Sequence, residues 1–260
     1  MFVSYQLISI SQQAAVATVS LNRPELHNAF NPELIGELRQ ALTAIAADSS
    51  VRVVILTGTG PSFSAGGDLS WMQASASYTA EQNIADAENL DAMFALLNSM
   101  PQPVIGRING AALGGGAGLV ACCDLAVAVE QAKFGFTEVK LGLIPAVIAQ
   151  YVVPKIGVSQ SRALFISGER FSAERAFEIG LIHAITGEDE LDQTVGFLAE
   201  RMLSGGPQAM AQAKKLVQAM WEMERSAAKR YAIEAIAQAR TGSEGQEGLA
   251  AFLNKRKPKW

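Results

Sequence analysis

The chain has 260 residues, of which 49% are hydrophobic and 18% are charged, and its formal net charge is −4. An average globular domain has about 25% charged residues, so this composition excludes disordered and collagen-like chains and favours a large core with further apolar surface. Because the 21 basic residues do not outnumber the 25 acidic ones, and no run approaches the roughly 18 apolar residues of a membrane span, we expect neither a nucleic-acid nor a membrane partner.

The N-terminal part of the chain predicts a hairpin followed by a helix. Met1–Gln6 carry none of the basic residues that open a signal peptide, so we expect a cytoplasmic protein. Tyr5–Ile10 and Val16–Leu21 are strand-like alternating runs, separated by a polar Ser-Gln-Gln turn. Asn31 and Pro32 are typical of a helix start, as cap and first helical residue.

Strands and helices then alternate. Val51–Thr57 predicts a buried strand and Ala80–Met100 a long helix, whereas the glycine-rich stretch between them predicts no element. Val104–Ile108 predicts the next strand, followed by glycines, a short helix through Cys123 and the strand Leu125–Val129. This alternation indicates an α/β core.

The pattern changes near residue 190, where four helices follow one another with short Gly, Ser or Pro breaks. They are predicted at Asp192–Leu203, Pro207–Met220, Ala227–Ala239 and Glu244–Asn254. We therefore divide the chain into a core of residues 1–195 and a C-terminal helical region of residues 196–260.

Two glycine-rich loops follow two of the predicted strands, at Ser64–Leu69 and Asn109–Gly116. Such loops expose backbone N–H groups, and glycine allows close approach of a ligand. Each loop alone is typical of an ordinary turn. Two loops side by side can each donate one hydrogen bond to a single oxygen, which is the geometry of an oxyanion hole.

The segment Gly116–Ala121 also fits the relaxed dinucleotide fingerprint G-x-G-x-x-A after a strand. The apolar helix that follows ends by Asp124, however, and a parallel crossover needs roughly 10–12 residues. We therefore expect no nicotinamide cofactor.

The chain is poor in metal ligands and nucleophiles. Cys122 and Cys123 are adjacent, and His27 and His183 are far apart, so neither a disulfide framework nor a zinc or haem site is expected. We interpret the cysteines as small core residues and both histidines as structural.

An ordered set of motifs spans almost the whole chain. They are Leu21-Asn22-Arg23-Pro24, Phe63–Leu69, Val104–Gly116, Asp124, Phe134–Pro145 and Glu244–Gly248. With these motifs the chain resembles the enoyl-CoA hydratase/isomerase (crotonase) superfamily. The resemblance implies an α/β fold with a β-β-α spiral core and a C-terminal helical trimerisation region, a homotrimer or a dimer of trimers, and acyl-CoA thioester substrates. Coenzyme A is then part of the substrate, and no separate cofactor is implied.

The resemblance also implies roles for individual residues. The backbone N–H groups of Gly67 and Gly115 should hold the thioester oxygen, and Glu138 should transfer protons. The remaining matched positions should contact CoA: Arg23, Leu26, Ala65, Gly66, Asp68, Leu69, Phe252 and Lys255. The basic tail around Lys255 has an equally good interpretation as a solvated tail.

The chain departs from many hydratases of the family in having one glutamate where they have two. The first position is Gly118, and only Glu138 remains. Glu130 and Glu174 match neither position and are interpreted as surface charges. A lone carboxylate in an apolar loop should have a raised pKa, which suits proton transfer. The alternative is a role at a helix terminus or in an ion pair with Lys140.

A second departure is the apolar run Pro145–Val153. Together with Asp68–Met72 and the single glutamate, it looks most like the bacterial methylglutaconyl-CoA hydratase branch, which serves leucine and acyclic terpene degradation. The expected function is hydration of a branched 2-enoyl-CoA, 3-methylglutaconyl-CoA or isohexenylglutaconyl-CoA. The alternatives are a Δ3,Δ2-enoyl-CoA isomerase, and a non-catalytic scaffold that binds CoA or RNA.

Overall fold

The computed structural model describes residues 5–260, so the first four residues of the segment considered for a signal peptide lie outside it. The strands are β1 Ile8–Gln13, β2 Val16–Leu21, β3 Val53–Gly58, β4 Ser62–Ser64, β5 Val104–Ile108, β6 Ala111–Leu113, β7 Leu125–Val129, β8 Lys133–Gly135, β9 Arg170–Ser172 and β10 Ala184–Thr186. The helices are α1 Pro32–Ala47, α2 Leu69–Ser75, α3 Ala80–Asn98, α4 Gly115–Cys122, α5 Ala146–Ser167, α6 Ala173–Glu178, α7 Leu191–Leu203, α8 Pro207–Glu222, α9 Arg225–Thr241 and α10 Ser243–Leu253.

Within residues 5–260 the strands form a six-stranded sheet, β1-β2-β3-β5-β7-β10, and a four-stranded sheet, β4-β6-β8-β9. Both are parallel except for the pairs β1–β2 and β8–β9. The chain passes three times from a strand of the large sheet to a strand of the small sheet and then to a helix, as β3–β4–α2, β5–β6–α4 and β7–β8–α5. The mixed α/β architecture that the alternation of strands and helices predicted, and the spiral that the family resemblance implied, are both confirmed.

Helix α1 illustrates how the sequence forms these elements. The side chain of Asn31 accepts a hydrogen bond from the N–H of Leu34 at 2.9 Å, and Pro32 occupies the first helical position, where its missing N–H costs nothing. Leu38 and Ile45 repeat at helical spacing and are fully buried. The predicted start of this helix is confirmed.

The predicted hairpin is confirmed, but its turn lies elsewhere. Strand β1 continues through the polar residues 11–13, and Gln13 pairs with Val16 across a two-residue turn at Ala14 and Ala15. Ala14 adopts a left-handed φ of +50°. β1 is an edge strand whose end faces water, so polar side chains are compatible with it, and the polar run did not mark a turn.

The four C-terminal helices are confirmed as α7–α10. The predicted division at residue 195 falls inside α7, whose Val195 and Ala199 are buried where the helix packs on β3, β5 and β7. Helices α8, α9 and α10 instead pack on one another. The division into two regions remains a prediction. No helix in the described part of the chain is long and apolar enough to cross a membrane.

Candidate active site

The peptide N–H of Gly67 points away from Phe30, the residue that pairs with the Gly67 loop. Phe30 pairs with this loop as a parallel strand would: its N–H donates to the carbonyl of Gly66 at 2.6 Å, and its carbonyl accepts from the N–H of Asp68 at 2.7 Å. Successive peptide groups of an extended chain point to opposite sides, so the N–H between these two faces away from Phe30. It has no hydrogen-bond partner among residues 5–260.

The N–H of Gly115 is the first of helix α4, and in the described residues it too lacks a partner. β6 ends at Leu113, and Gly114 turns the chain with a φ of +51°, which glycine adopts without steric cost. The N–H of Gly114 donates to the carbonyl of Gly135 at 2.8 Å. The N–H groups that follow belong to the first turn of a helix, where no intrahelical acceptor exists.

The two loops touch each other. A Cβ placed on Gly66 would stand 2.8 Å from the carbonyl oxygen of Leu113 and 3.3 Å from the amide nitrogen of Gly115. Gly66 also has a φ of +87°, so a larger residue would be strained there as well as crowded. The structure therefore brings two loops with unpartnered N–H groups side by side.

Glu138 lies against the second loop. It opens a 3₁₀ turn over Glu138–Leu141, and its Oε1 is 3.2 Å from where a Cβ on Gly114 would stand. Its other oxygen, Oε2, is buried and has no hydrogen-bond partner within the described residues. Glu138 forms no ion pair with Lys140, whose side chain lies near Gly168 instead, so the ion-pair alternative is wrong.

Burial raises the pKa of Glu138, against a smaller lowering by a backbone hydrogen bond. Desolvation disfavours the charged form of a carboxyl group, and no cation of the described part of the chain compensates it. The raised pKa that the sequence predicted is confirmed. A carboxylate of this kind, lying against one of two adjoining loops that carry N–H donors, can accept and return a proton while an adjacent carbonyl oxygen becomes negatively charged.

Gly118 lies in α4, one helical turn after Gly114, which caps the start of this helix. The N–H of Gly118 donates to the carbonyl of Gly114 at 3.1 Å. Ile148 of α5 fills the space beside Gly118: a Cβ there would stand 3.0 Å from the Cβ of Ile148 and 3.1 Å from Cε1 of Phe94. The Glu138 carboxylate thus lies beside Gly114, and one helical turn further on the apolar side chains of Ile148 and Phe94 lie beside Gly118.

The predicted CoA-contacting residues fall into two groups. Arg23–His27 and Ala65–Leu69 lie together, joined by the N–H of Ala65 donating to the carbonyl of His27 at 2.9 Å. Leu26 and Leu69 are exposed there, whereas the charged groups of Arg23 and Asp68 are buried against each other. The latter two are therefore unavailable as free charges for a ligand.

Phe252 and Lys255 lie at the C-terminal end of the chain, away from these loops. Phe252 is in α10, which packs on α8 and α9, and its side chain is 80% exposed. Lys255 follows the end of that helix with a left-handed φ of +51°. Their contact with CoA, bound by their own or by a neighbouring subunit, stays a prediction.

The cysteines and histidines have structural surroundings. Cys122 and Cys123 are buried, and burial raises the pKa of the Cys123 thiol to about 12. The Nδ1 atom of His183 accepts from the N–H of Ala126 at 3.0 Å, and that of His27 lies 3.0 Å from the Ser62 hydroxyl. In residues 5–260 no cluster of three or more His, Cys, Asp or Glu could hold a metal ion.

A cleft of about 580 Å³ lies at the opposite end of the small sheet, beside Pro61, Gly110 and Lys133. Strands β4, β6 and β8 begin near this cleft and end at the loops of Gly67, Gly115 and Glu138. This cleft is thus separated from the candidate site by the length of three short strands.

Sequence reasoning missed two residues that shape the site, Phe30 and Ile148. Phe30 holds the first loop through its backbone, which leaves no mark on residue type. Ile148 lies in the apolar run that was recognised as a departure, but the contact with Gly118 depends on how α5 packs against α4.

A family model described as enoyl-CoA hydratase/isomerase matches residues 11–260. The chain belongs to the enoyl-CoA hydratase/isomerase family. The crotonyl-CoA hydratase of Syntrophomonas wolfei is 33% identical over 256 residues, covering 98% of this chain and 97% of the relative. The 2,3-dehydroadipyl-CoA hydratase of Escherichia coli is 32% identical over 252 residues, covering 96% of each. The crystal structure of an enoyl-CoA hydratase from Shewanella pealeana has a TM-score of 0.94 and 39% identity, covering 98% of this chain and 96% of that chain.

These relatives match along almost the whole chain. The protein is therefore an enzyme of the enoyl-CoA hydratase/isomerase family, with hydratase-type activity on acyl-CoA thioesters.

Proposed function

We propose that the protein adds water reversibly across the α,β double bond of a branched 2-enoyl-CoA, with 3-methylglutaconyl-CoA as its substrate. The observation that carries the reaction type is the buried Oε2 of Glu138, which has no hydrogen-bond partner among residues 5–260. The Glu138 carboxylate lies against the Gly114 loop, which in turn contacts the Gly66 loop, and the N–H groups of Gly67 and Gly115 belong to these two loops. A non-catalytic protein that only bound CoA would gain nothing from an uncompensated buried acid, because such an acid lowers stability.

The proposed reaction uses a single carboxylate. Glu138 takes a proton from water while the water oxygen bonds to Cβ, and the electrons of the double bond move through Cα onto the thioester oxygen. The N–H groups of Gly67 and Gly115 stabilise that oxygen; one such donor typically lowers a barrier by about 3–4 kcal/mol. Glu138 then returns the proton to Cα, so that one water molecule is added in total.

One observation also favours a second candidate, the Δ3,Δ2-enoyl-CoA isomerase. The position of Gly118 faces Ile148 and Phe94, so a second carboxylate has no place on this face of α4. Moving a proton between two carbons requires one base only, which is what the site offers. The two reactions share Glu138 and both loops, and they differ in whether water reaches Cβ.

The proposed acyl group rests on the resemblance of Asp68–Met72 and Pro145–Val153 to the methylglutaconyl-CoA hydratase branch. The helices that flank the loops carry four acids and no base between Leu69 and Asn98: Glu81, Asp86, Glu88 and Asp91. A carboxylate at the far end of the acyl chain therefore needs a cation from elsewhere, such as a neighbouring subunit. The substrate panel must separate branching from charge.

The test follows the ultraviolet absorbance of the conjugated enoyl thioester. The panel holds 3-methylglutaconyl-CoA, isohexenylglutaconyl-CoA, crotonyl-CoA and 2,3-dehydroadipyl-CoA. It also holds 3-methylcrotonyl-CoA as the neutral branched control and a 3-enoyl-CoA as the substrate for isomerisation. Loss of absorbance with kcat/KM at least about tenfold higher for 3-methylglutaconyl-CoA than for crotonyl-CoA supports the proposal. A preference for crotonyl-CoA overturns the substrate, and conversion of a 3-enoyl-CoA without hydration of any 2-enoyl-CoA establishes the isomerase.

A further inference from the structure

Arg23 is buried although it is charged, with only 8% of its surface exposed. Its Nη1 donates to the carbonyl of Ala29 at 2.6 Å, and its Nη2 lies 2.9 Å from Oδ2 of Asp68. Its backbone N–H donates to Oδ1 of Asn28 at 2.9 Å. Arg23 therefore closes the loop that leads to Phe30 and joins it to the loop of Gly67.

Asp68 is held from three directions. Its Oδ2 is paired with Arg23, its Oδ1 accepts from the N–H of Ser70 at 2.8 Å at the start of α2, and its own N–H donates to the carbonyl of Phe30 at 2.7 Å. Burial acts to raise the pKa of Asp68, but the hydrogen bonds from Arg23 and the α2 amides outweigh it and keep the pKa below its usual range. The carboxylate is thus a permanent acceptor.

Gly67 lies between two anchored neighbours. The carbonyl of Gly66 accepts from Phe30, and Asp68 is fixed on the other side by Phe30 and Arg23. Two consecutive glycines have little conformational preference of their own, so the direction of the N–H of Gly67 must be set by these external contacts. The Arg23–Asp68 pair is the side-chain part of that restraint.

We propose that Arg23 and Asp68 are positioning residues that hold the N–H of Gly67 toward the thioester oxygen, and that they are not ligands of CoA. The inference rests on the proposed oxyanion role of Gly67. Both terminal nitrogens of Arg23 already have protein acceptors, so the guanidinium has no free charge to offer a phosphate of CoA. This replaces the role that the resemblance implied for these two residues.

The test compares each variant on two thioesters of the same acyl group, the CoA thioester and the N-acetylcysteamine thioester, which lacks the nucleotide. Arg23→Gln should lower kcat at least about tenfold, by the same factor on both substrates, because the oxyanion donor is misdirected in each. Arg23→Lys should have a kcat between those of Arg23→Gln and the wild type. Lysine keeps the charge but cannot contact Ala29 and Asp68 with two terminal nitrogens as arginine does. Asp68→Asn removes the ion pair and should behave like Arg23→Gln.

Arg175→Gln is the control, because it breaks an exposed arginine–glutamate pair at 3.1 Å that lies outside the site. It should leave both kinetic constants unchanged. A loss that appears in KM for the CoA thioester and vanishes with the short thioester would make Arg23 a CoA ligand and overturn the proposal. If Arg23→Gln fails to fold by circular dichroism, Arg23→Lys and Asp68→Asn carry the same comparison.

A readout independent of turnover separates this inference from the proposed function. The carbonyl stretching frequency of a bound saturated acyl-CoA, measured by Raman difference spectroscopy with a ¹³C=O label, falls when hydrogen-bond donors polarise the carbonyl. The wild type should show a lowered frequency, and Arg23→Gln should move it back toward the value in water. A wild type that lowers the frequency but hydrates nothing refutes the proposed function alone, whereas an unchanged frequency in Arg23→Gln refutes the positioning role.

Discussion

Ile148 of α5 occupies the space that a side chain on Gly118 of α4 would need. Both residues belong to stretches in which the chain departs from many hydratases, and the structure shows that the two departures are one feature. The position without a carboxylate is packed by an apolar residue from the altered run. We therefore expect the site to use a single acid, Glu138.

This packing predicts opposite effects for two glycines in helices. Gly118→Ala should destabilise the protein by about 1–3 kcal/mol through overpacking. Gly36→Ala in α1, where nothing lies within 4 Å of the new Cβ, should stabilise it by about 1 kcal/mol. The double variant Gly118→Ala/Ile148→Ala should have a higher free energy of unfolding than Ile148→Ala alone, as measured by urea unfolding. Additive effects of the two substitutions would contradict the contact.

Restoring a second acid should fail for the same reason. Gly118→Glu places a carboxylate against Ile148 and Phe94, where it has neither room nor a partner. We expect lower stability and lower kcat than in the wild type, measured by thermal unfolding and by the hydration assay. A higher kcat for Gly118→Glu than for the wild type would contradict the packing of Ile148 and Phe94 against Gly118.

Gly67 offers the cleaner test of the oxyanion donors. A Cβ on Gly115 would stand 2.7 Å from Cε2 of Phe30, so any substitution there disturbs packing, whereas a Cβ on Gly67 meets only Met72 at 3.5 Å. Gly67→Pro removes the N–H and should lower kcat at least about 100-fold, while Gly67→Ala keeps the donor and should stay within about tenfold of the wild type. Equal kcat values for folded Gly67→Pro and Gly67→Ala would refute the role of this N–H.

Glu138→Gln should lower kcat by about 10²–10⁴-fold and leave acyl-CoA binding intact, because glutamine keeps the volume but cannot accept a proton. Glu130→Gln is the matched control, since Glu130 is exposed and lies outside the loops. Steady-state kinetics and calorimetric titration with the saturated acyl-CoA measure both quantities. Hydration by Glu138→Gln at the rate of Glu130→Gln would rule out the single-carboxylate mechanism.

The raised pKa of Glu138 makes both activity and stability depend on pH. The base form is the active one, so kcat/KM should fall with decreasing pH at a higher pH than for an ordinary glutamate. Its folded pKa exceeds its unfolded pKa, so the folded state binds more protons between the two, and stability falls as pH rises through the folded pKa. Glu138→Gln should therefore have a higher Tm than the wild type above that pKa, and the difference should disappear below the unfolded pKa.

We expect the purified protein to be a trimer or a dimer of trimers. Helices α8–α10 expose large apolar side chains, among them Val217, Trp221, Ile233, Phe252 and Leu253. Apolar surface of this extent on a single copy favours association. Light scattering at micromolar concentration should give the mass of three or six copies, and a monomer mass would contradict the expectation.

Much of the fold was predictable from local signals. Asn31 and Pro32 start α1, runs of β-branched residues form β3, β5 and β7, and prolines end α3, because caps and hydrophobic periodicity act over a few neighbouring residues. The motifs around Gly67, Gly115 and Glu138 were likewise recognisable, since they are contiguous in the chain.

The three-residue strands of the small sheet were not predictable, because a run that short shows no periodicity and exists only through its partners. Burial of the Arg23 and Asp68 charges was missed for a related reason. The two residues lie 45 positions apart, and whether a charge faces water or another charge depends on the packing between loops.

The sequence by itself determined which chemical groups the protein has to work with: backbone N–H groups in two glycine loops, one carboxylate, and a glycine where a second carboxylate is common. Only the tertiary structure decided how they are used. It packs Ile148 against Gly118, leaves Oε2 of Glu138 without a hydrogen-bond partner among residues 5–260, and pairs Arg23 with Asp68. The sequence states which residues are present, but their burial and their contacts arise only when the chain is folded. Burial and contacts set the pKa of an acid and the direction of a hydrogen-bond donor.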